Sequence, residues 1–175
     1  MILIGLGSNL TTEEFSSSKA ILVAVMEALG EHDIEVVKKS NFYETEPMPK
    51  SDQPWFVNAV ISIETDHSAL ELLAILHDIE RNMGRVRKVK WEARIIDLDL
   101  LCYNDEIHPN LEKWHKVRED ISSKLPIIPH ARLHERDFVL IPMADISADW
   151  KHPVLNKTVE NMLKAHNSAG VVRIL

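Results

Sequence analysis

Residues 56–65, Phe56-Val57-Asn58-Ala59-Val60-Ile61-Ser62-Ile63-Glu64-Thr65, form the stretch on which the fold prediction rests. Every second residue from Val57 to Ile63 is apolar. Because successive side chains of a strand point to opposite faces, this alternation predicts a strand with one face toward a core. Phe56 and Asn58 share the other face, so they look toward a cleft or solvent if the apolar face packs on helices.

The N-terminal part of the chain is predicted to form a strand, a turn and a helix. Residues 1–6 are apolar enough for a buried strand, and Gly7-Ser8-Asn9 follows as a turn. Thr11 and Glu14 have the spacing of a capping box. Apolar residues then recur at helical spacing up to Gly30, which predicts the first helix.

The segments on either side of residues 56–65 predict a loop and a second helix. Residues 34–44 have a strand-like composition, and residues 46–54 contain three prolines, which predict a loop. Ser68 and Glu71 form a second capping-box pattern, and an amphipathic helix is predicted from there to Gly84.

The C-terminal half contains more predicted strands and a short helix. We expect a strand over residues 94–103, irregular polar structure over 104–129, a helix over 158–165 and a terminal strand over 171–175. Some strands follow each other without an intervening helix, which disfavours a purely parallel sheet. The pattern predicts a two-layer or three-layer α+β sandwich.

Composition predicts one folded domain. The chain has 175 residues, of which 45% are hydrophobic and 27% charged, enough for one substantial core but not for two. We therefore expect a single domain over residues 1–175. The sole cysteine, Cys102, excludes an internal disulfide framework and a cysteine zinc site, and we expect it to pack in the core. No apolar run approaches membrane-spanning length and the N-terminus lacks a basic start, so we expect a cytoplasmic protein without membrane contact.

Two carboxylates interrupt an apolar strand at Ile95-Ile96-Asp97-Leu98-Asp99-Leu100-Leu101. The period of two places Asp97 and Asp99 on the same side of the sheet. Two like charges so close together require a cation or the mouth of a cleft. Mg²⁺ suits them because it binds through one or two carboxylates together with substrate phosphates. The alternative is a half-exposed strand with a polar face, which the apolar Ile95 at the same parity disfavours.

A basic segment lies immediately before the aspartates. The chain has a formal net charge of −7, which disfavours general nucleic-acid binding. Six cations nevertheless crowd one stretch: Arg81, Arg85, Arg87, Lys88, Lys90 and Arg94. Guanidinium groups bind phosphate oxygens bidentately, so we expect an anion there. A solvated surface or a nucleic-acid contact remains the alternative for the segment taken alone.

Common nucleotide-binding and zinc motifs are absent or weak. Leu10 stands where a dinucleotide-binding fingerprint needs its third glycine, and no phosphate-binding Gly-x-x-x-x-Gly-Lys loop occurs. His130 and His134 are spaced for a shared metal on a helix, but no glutamate follows His130 and a proline precedes it. This spacing gives only weak support to a zinc hydrolase.

Residues 90–101, Lys90-Trp91-Glu92-Ala93-Arg94-Ile95-Ile96-Asp97-Leu98-Asp99-Leu100-Leu101, closely resemble the signature of the hydroxymethyldihydropterin pyrophosphokinases. Other segments resemble the same family in the same order: Gly7-Ser8-Asn9-Leu10, Asp52-Gln53-Pro54 through Phe56, Asn58 and Ala59, Gly84-Arg85-Val86-Arg87-Lys88, and Pro129-His130 with Arg136 and Phe138. The resemblance spans nearly the whole chain except residues 104–124, which look like an insertion. For the fold we expect α+β, a ferredoxin-like α/β sandwich with a mostly antiparallel central sheet flanked by helices.

The resemblance implies a phosphate and metal site. Asp97 and Asp99 would hold two Mg²⁺ ions that clamp the triphosphate of ATP. Arg85 and Arg94 would bind its phosphates, and Arg87 would enter with a closing loop, so these five residues are the expected catalytic set.

The resemblance also implies contacts with the rest of the nucleotide. His130 and Arg136 would contact ATP, and His77 and Glu80 occupy matching positions on the helix before the basic segment. Ala131 replaces the aromatic residue that commonly follows the histidine, which removes one expected nucleotide contact.

A pterin pocket is the third implication of the resemblance. Phe56 and Phe138 would sandwich the ring, and Asn58 would bond its polar edge with the help of backbone around Gly7 and Thr45. The reaction would transfer diphosphate from ATP to 6-hydroxymethyl-7,8-dihydropterin in folate biosynthesis. We expect a monomer that binds these two small molecules and no nucleic acid.

Two functions of other classes stay open at this point. A non-catalytic nucleotide or RNA-binding module would use the basic segment and exposed aromatic rings, and it would not need the aspartates. A metal-dependent hydrolase would use Asp97, Asp99 and His130, and it would release phosphate without a pterin acceptor.

Overall fold

The computed structural model describes residues 1–47, 50–84, 93–120, 125–165 and 172–175. The described elements, in chain order, are β1 (Ile2–Ser8), α1 (Ser18–Gly30), β2 (Glu35–Lys39), β3 (Tyr43–Thr45), β4 (Phe56–Glu64), α2 (Ala69–Asn82), β5 (Asp97–Tyr103), α3 (Leu111–Glu119), a 3₁₀ turn (Leu133–Glu135), α4 (Asp137–Ser147), α5 (Val159–Ala165) and β6 (Val172–Ile174).

The six described strands form one sheet with β4 at its centre. The strand order is β5-β1-β4-β3-β6, and β2 pairs with the far end of β4 beside β3. Every pair is antiparallel. The predicted α+β class with a mostly antiparallel sheet is confirmed.

Each face of the sheet carries its own core. The alternating residues of β4 predicted to be apolar and buried pack with α1 and α2, which confirms that prediction. The opposite face carries a second core, in which Leu3, Val60 and Leu101 pack with α4 and α5. Cys102 is fully buried in this second core, as predicted. Layers of helices therefore cover both faces of the sheet.

The two predicted capping boxes had different outcomes. Ser68 caps α2: its Oγ accepts from the Glu71 amide at 3.4 Å, and the Glu71 carboxylate accepts from the Ser68 amide at 2.8 Å. The prediction at Thr11 and Glu14 was wrong, because α1 begins at Ser18 and its cap is Ser17, whose Oγ accepts from Ala20 N. Strand β1 also continues through Ser8, so the predicted turn starts later.

Predictions for the C-terminal half were wrong at three places. Strand β5 begins at Asp97 rather than residue 94, because the Arg94 carbonyl accepts hydrogen bonds from Asn9 and Leu10 instead of joining the sheet. Residues 104–129, predicted to be irregular, contain α3. Helix α4 was not predicted.

In the described part of the chain, no helix is both long enough and apolar enough to cross a membrane.

Candidate functional site

Asp97 and Asp99 lie on the same face of the sheet, beside two glycines of β1. In the antiparallel register, Asp97 is opposite Gly7 and Asp99 is opposite Gly5. The next residue of the same parity, Leu101, packs in the second core with α4 and α5. The aspartates therefore lie on the part of this face that α4 and α5 do not cover. Gly5 and Gly7 beside them have no side chains that would fill the adjacent space.

Two arginines neutralise the aspartates. The Arg94 guanidinium forms a close ion pair with Asp97, and Arg136 Nη1 lies 3.7 Å from Asp99 Oδ2. The carboxylates are 24% and 37% exposed, so both can be reached from solvent. Burial lowers the pKa of Arg136, while the Asp99 carboxylate raises it. The site thus combines two anions with two cations that could turn to a phosphate.

These carboxylates fit a metal that completes its coordination with other oxygens. Within residues 1–47, 50–84, 93–120, 125–165 and 172–175, no group of three or more histidine, cysteine or acidic side chains could hold a metal. A closed structural metal site is therefore not built there. Mg²⁺ differs, since it takes one or two carboxylates and fills the remaining positions with water and phosphate oxygens. Asp97 and Asp99 suit that mode.

Asn9 fixes the backbone of Arg94, which the sequence did not reveal. Its Oδ1 accepts from Arg94 N at 2.7 Å, and its backbone N–H donates to Arg94 O at 3.0 Å. Its Nδ2 also donates to the Pro54 carbonyl at 3.0 Å. Asn9 is 2% exposed, so it is a structural clamp between β1, the segment before β4 and Arg94, which is predicted to bind phosphate. The sequence signals were its position after a buried strand and its place in the Gly7-Ser8-Asn9-Leu10 resemblance, and neither identified Arg94 as its partner.

Glu80 and His77 take different positions on α2. His77 is exposed, whereas Glu80 is 3% exposed and its Oε1 accepts from the Leu98 amide at 2.7 Å. Leu98 separates the two aspartates on β5. Glu80 therefore supports the strand that presents them, and its predicted contact with ATP stays a prediction.

The residues predicted for the pterin converge at one end of β4. Asn58 is opposite Gly7 on one side and Tyr43 on the other, and its Nδ2 donates to Thr45 Oγ1 at 2.8 Å. A Cβ atom on Gly7 would lie 2.9 Å from Asn58 Oδ1 and 4.0 Å from Phe56 Cδ1. The register thus aligns Asp97, Gly7 and Asn58, while Phe56 is half-buried beside them.

Phe138 lies in the first turn of α4, two residues after Arg136. The Arg136 guanidinium lies over the Phe138 ring, 5.5 Å from its centroid. The ring is half-buried against the second core. Arg136 therefore contacts a predicted pterin residue and lies close to a predicted metal ligand, so it joins the two parts of the candidate site.

His130 is held in a neutral form with a defined donor. Burial lowers its pKa, and nearby Arg136 lowers it further, whereas the Asp99 carboxylate raises it. Its Nδ1 accepts from the Arg132 amide at 3.2 Å. An accepting Nδ1 places the proton of the neutral ring on Nε2, which is then a hydrogen-bond donor.

The structure therefore brings together most of the described site residues. Gly7 lies between Asp97 and Asn58 in the sheet, and Phe56 pairs with Thr45 at the same end of β4. Arg94 and Arg136 pair with the two aspartates, and the aspartates raise the pKa of the nearby His130. Arg85 and Arg87 lie outside the described residues, so their predicted roles stay predictions.

Comparison with known proteins identifies similar sequences and folds. Residues 3–148 match the family model of the 7,8-dihydro-6-hydroxymethylpterin-pyrophosphokinases. The chain is 39% identical over 150 residues to the 2-amino-4-hydroxy-6-hydroxymethyldihydropteridine pyrophosphokinase of Haemophilus influenzae, covering 86% of this chain and 83% of that protein. It is 36% identical over 143 residues to the Bacillus subtilis protein of the same name, covering 82% and 75%.

A solved structure shares the fold at low sequence identity. The crystal structure of wild-type Plasmodium falciparum HPPK-DHPS with pteroate matches with a TM-score of 0.66 and 16% identity. The match covers 94% of this chain and 44% of that longer chain. At this identity the likeness supports the fold alone.

Proposed function

The chain belongs to the 7,8-dihydro-6-hydroxymethylpterin-pyrophosphokinase family, whose members transfer a pyrophosphoryl group from ATP to hydroxymethyldihydropterin in folate synthesis. From this membership we propose that the chain, an enzyme of the pyrophosphokinase class, moves diphosphate from ATP to the hydroxymethyl group of 6-hydroxymethyl-7,8-dihydropterin and releases AMP. The observation that carries this proposal is the alignment of Asp97, Gly7 and Asn58 across three adjacent strands. In that row, Asp97 offers a carboxylate for Mg²⁺ and the triphosphate, and Asn58 offers an amide for the pterin. Gly7 separates the two on the strand between them.

Magnesium dependence is part of the proposal. Asp97 and Asp99 would hold two Mg²⁺ ions, which when bound would neutralise phosphate charge and orient the triphosphate. Arg94 and Arg136 balance the charge of the two carboxylates. On binding, these guanidinium groups would turn to the phosphate oxygens, for which their bidentate geometry is suited. Arg85 and Arg87 are proposed to add phosphate contacts.

The pterin would lie against Phe56, Asn58 and Phe138. Asn58 Oδ1 can accept from an amino or ring N–H group of the heterocycle, while its Nδ2 stays on Thr45 Oγ1. Gly7 leaves room for that edge, because a side chain there would meet the Asn58 amide. Half-buried rings at Phe56 and Phe138 offer flat apolar surface for stacking.

The chemistry needs positioning and charge neutralisation more than covalent help from side chains. The pterin hydroxymethyl oxygen attacks the β-phosphorus of ATP, the bond from that phosphorus to the α,β-bridging oxygen breaks, and AMP leaves with that oxygen. The hydroxyl proton is released to solvent. His130, neutral with its proton on Nε2, would donate to the nucleotide without adding charge.

The test is an assay with ATP, Mg²⁺ and the dihydropterin alcohol that follows the nucleotide product. We expect AMP to form only when the pterin is present and only with a divalent cation. Release of inorganic phosphate without a pterin would favour the hydrolase. Salt-sensitive RNA affinity without AMP formation would favour the binding module.

We also propose that residues 1–175 act as one domain and as a monomer with two small-molecule substrates. Sedimentation equilibrium with and without a non-hydrolysable ATP analogue tests this proposal. A mass of twice the chain mass would contradict it.

A further inference from the structure

Helix α3 has an unusual pattern of burial. Its first residue follows an N-cap, Asn110, whose Oδ1 accepts from Lys113 N at 2.9 Å. Of the nine residues of α3, Trp114 alone is buried, with no exposed surface at all. A helix that contributes one large side chain to the interior adds little to a general core. The contacts of that side chain are therefore the best guide to what the helix does.

The Trp114 indole is bonded to the segment that carries His130. Its Nε1 donates to the Pro129 carbonyl at 2.7 Å, and this bond is buried. The neighbouring backbone is fixed as well. His130 N donates to Leu101 O at 2.8 Å, and Ile128 and His108 exchange two backbone hydrogen bonds, at 2.9 and 3.2 Å. Pro129 lies between these anchors, so the indole satisfies a buried carbonyl next to the histidine.

The same face of α3 also reaches the other end of this segment. Arg118, one turn after Trp114, lies with its Nη2 3.7 Å from Glu135 Oε1. Its guanidinium also lies over the Trp114 ring, 5.9 Å from the centroid. Glu135 immediately precedes Arg136. Two residues of α3 thus contact both ends of residues 129–136, which carry His130 and Arg136.

We propose that α3 is a brace for residues 129–136, and that Trp114 is a positioning residue for ATP binding. Its indole N–H holds the Pro129 carbonyl so that His130 and Arg136 keep their places beside Asp99. This inference gives a role to residues 104–120, and it rests on the proposed function in that His130 and Arg136 bind the nucleotide.

Trp114→Phe tests the brace because it keeps an aromatic ring and removes the N–H. Losing this buried bond to the Pro129 carbonyl should let residues 129–136 move toward water. We expect the dissociation constant for a non-hydrolysable ATP analogue and the KM for ATP to rise about five- to tenfold with kcat nearly unchanged. Arg118→Ala should act in the same direction but more weakly, because its pair with Glu135 is half-exposed.

Matched controls come from the same cluster and the same helix. Trp150→Phe alters a ring that, like Trp114, lies 5.6 Å from the His152 ring, and Trp150 forms no observed hydrogen bond with the described residues 125–136. Lys116→Ala removes one positive charge from α3 at an exposed pair with Glu112. Both controls should bind the ATP analogue as the wild type does.

Hydrogen exchange measured by mass spectrometry separates the brace from the proposed function. The amides of His130 and Leu133, which donate to Leu101 O and His130 O, should exchange faster in Trp114→Phe than in Trp150→Phe, without ATP. Unchanged exchange would overturn the brace even if the enzyme makes AMP. Faster exchange with unchanged affinity for the analogue would overturn the positioning role. A wild type that binds no ATP would overturn both the positioning role and the proposed function, and exchange alone would then judge the brace.

Discussion

Gly7 illustrates how a residue without a side chain can shape the proposed pterin pocket. Its missing Cβ would lie 2.9 Å from Asn58 Oδ1, so an alanine would displace the amide that bonds Thr45. An unpaired edge in the pocket costs about 1–3 kcal/mol. We therefore expect Gly7→Ala to weaken pterin binding about tenfold or more and to spare ATP binding. Titration with the pterin in the presence of a non-hydrolysable ATP analogue measures this.

Gly5→Ala is the control for Gly7→Ala. Gly5 lies on the same strand and face, but the nearest atoms to its added Cβ would be side-chain carbons of Leu101, at 3.4 to 3.6 Å. Such contacts are ordinary, so pterin affinity should change little. Equal affinity in the two variants would contradict a steric role for Gly7.

Asp97 and Asp99 are predicted to be needed for transfer and not for folding. Asp97→Asn or Asp99→Asn removes one of two neighbouring anions, which relieves repulsion while removing a metal ligand. AMP formation should fall at least about 10²-fold, with the melting temperature nearly unchanged. Asp78→Asn is the control, because it removes the same charge from an exposed pair with Arg81 on α2. Activity close to that of the wild type in either site variant would exclude the two-metal proposal.

The ring of Phe56 is predicted to bind the pterin rather than to stabilise the fold. Stacking contributes on the order of 1 kcal/mol per aromatic pair, so Phe56→Ala should weaken pterin binding about fivefold and leave ATP binding and the melting temperature nearly unchanged. Phe138→Ala should weaken pterin binding similarly. Phe42→Ala, at a ring that is 7% exposed in the first core, should instead lower the melting temperature. The opposite pattern would place Phe56 in the core.

Some of these residues could be predicted from the sequence and others could not. Asp97 and Asp99 stand out because a period of two inside an apolar run leaves few explanations. Asn58 follows from strand parity together with the resemblance. Asn9, Glu80 and Trp114 act through bonds to backbone atoms far along the chain, such as Leu98 N and Pro129 O. No local pattern signals such partners.

At the scale of elements, prediction succeeded where the sequence carried a period. Strand β4 and helix α2 have clear alternation or an amphipathic stripe, and both were found within one or two residues. Helix α3 has a single buried residue, so it lacks a stripe. Helix α4 is apolar on several sides and contains Pro142, which argues against a helix in any local reading. Its burial among other elements overrides that preference.

A buried histidine makes the contact between α3 and the C-terminal half sensitive to acid. His152 is fully buried beside Trp114, and its Nδ1 accepts from the amides of Val154 and Leu155. Burial lowers its pKa to about 4, with His134 and Arg118 contributing in the same direction. Since the folded pKa lies below the unfolded value, the stabilisation is present above about pH 6.5 and is lost as the pH falls toward 4.

His152→Asn should remove this acid sensitivity, because asparagine retains an acceptor and does not titrate. Between pH 7 and 4.5, the free energy of unfolding of the wild type should fall by about 2–3 kcal/mol more than that of the variant. Urea unfolding at both pH values measures the difference. The exposed His115→Asn on α3 should follow the wild type, and parallel curves for wild type and His152→Asn would contradict the assignment.

At the scale of the whole molecule, helices on both faces of one sheet enclose β5, which carries the site at one end and a buried thiol at the other. Cys102 has no exposed surface, and burial raises its pKa to about 12. The thiolate is the reactive form. A disulfide reagent at pH 8 should therefore reach Cys102 only after the helices separate from the sheet. Its labelling rate is then a measure of global unfolding.

A ligand that binds only the folded enzyme should slow this labelling by a factor that grows with the ratio of its free concentration to its dissociation constant. With the Mg²⁺ complex of a non-hydrolysable ATP analogue alone at about 100 times its dissociation constant, the rate should fall about 100-fold, because binding reduces the unfolded population. Labelling rates measured across a ligand titration test this expectation. In the control, Cys102→Ser combined with Val23→Cys moves the thiol to the surface of α1, where Val23 is 39% exposed, and its rate should not depend on ligand. A ligand-independent rate at Cys102 would show that β5 opens locally, without disturbing the site that it carries.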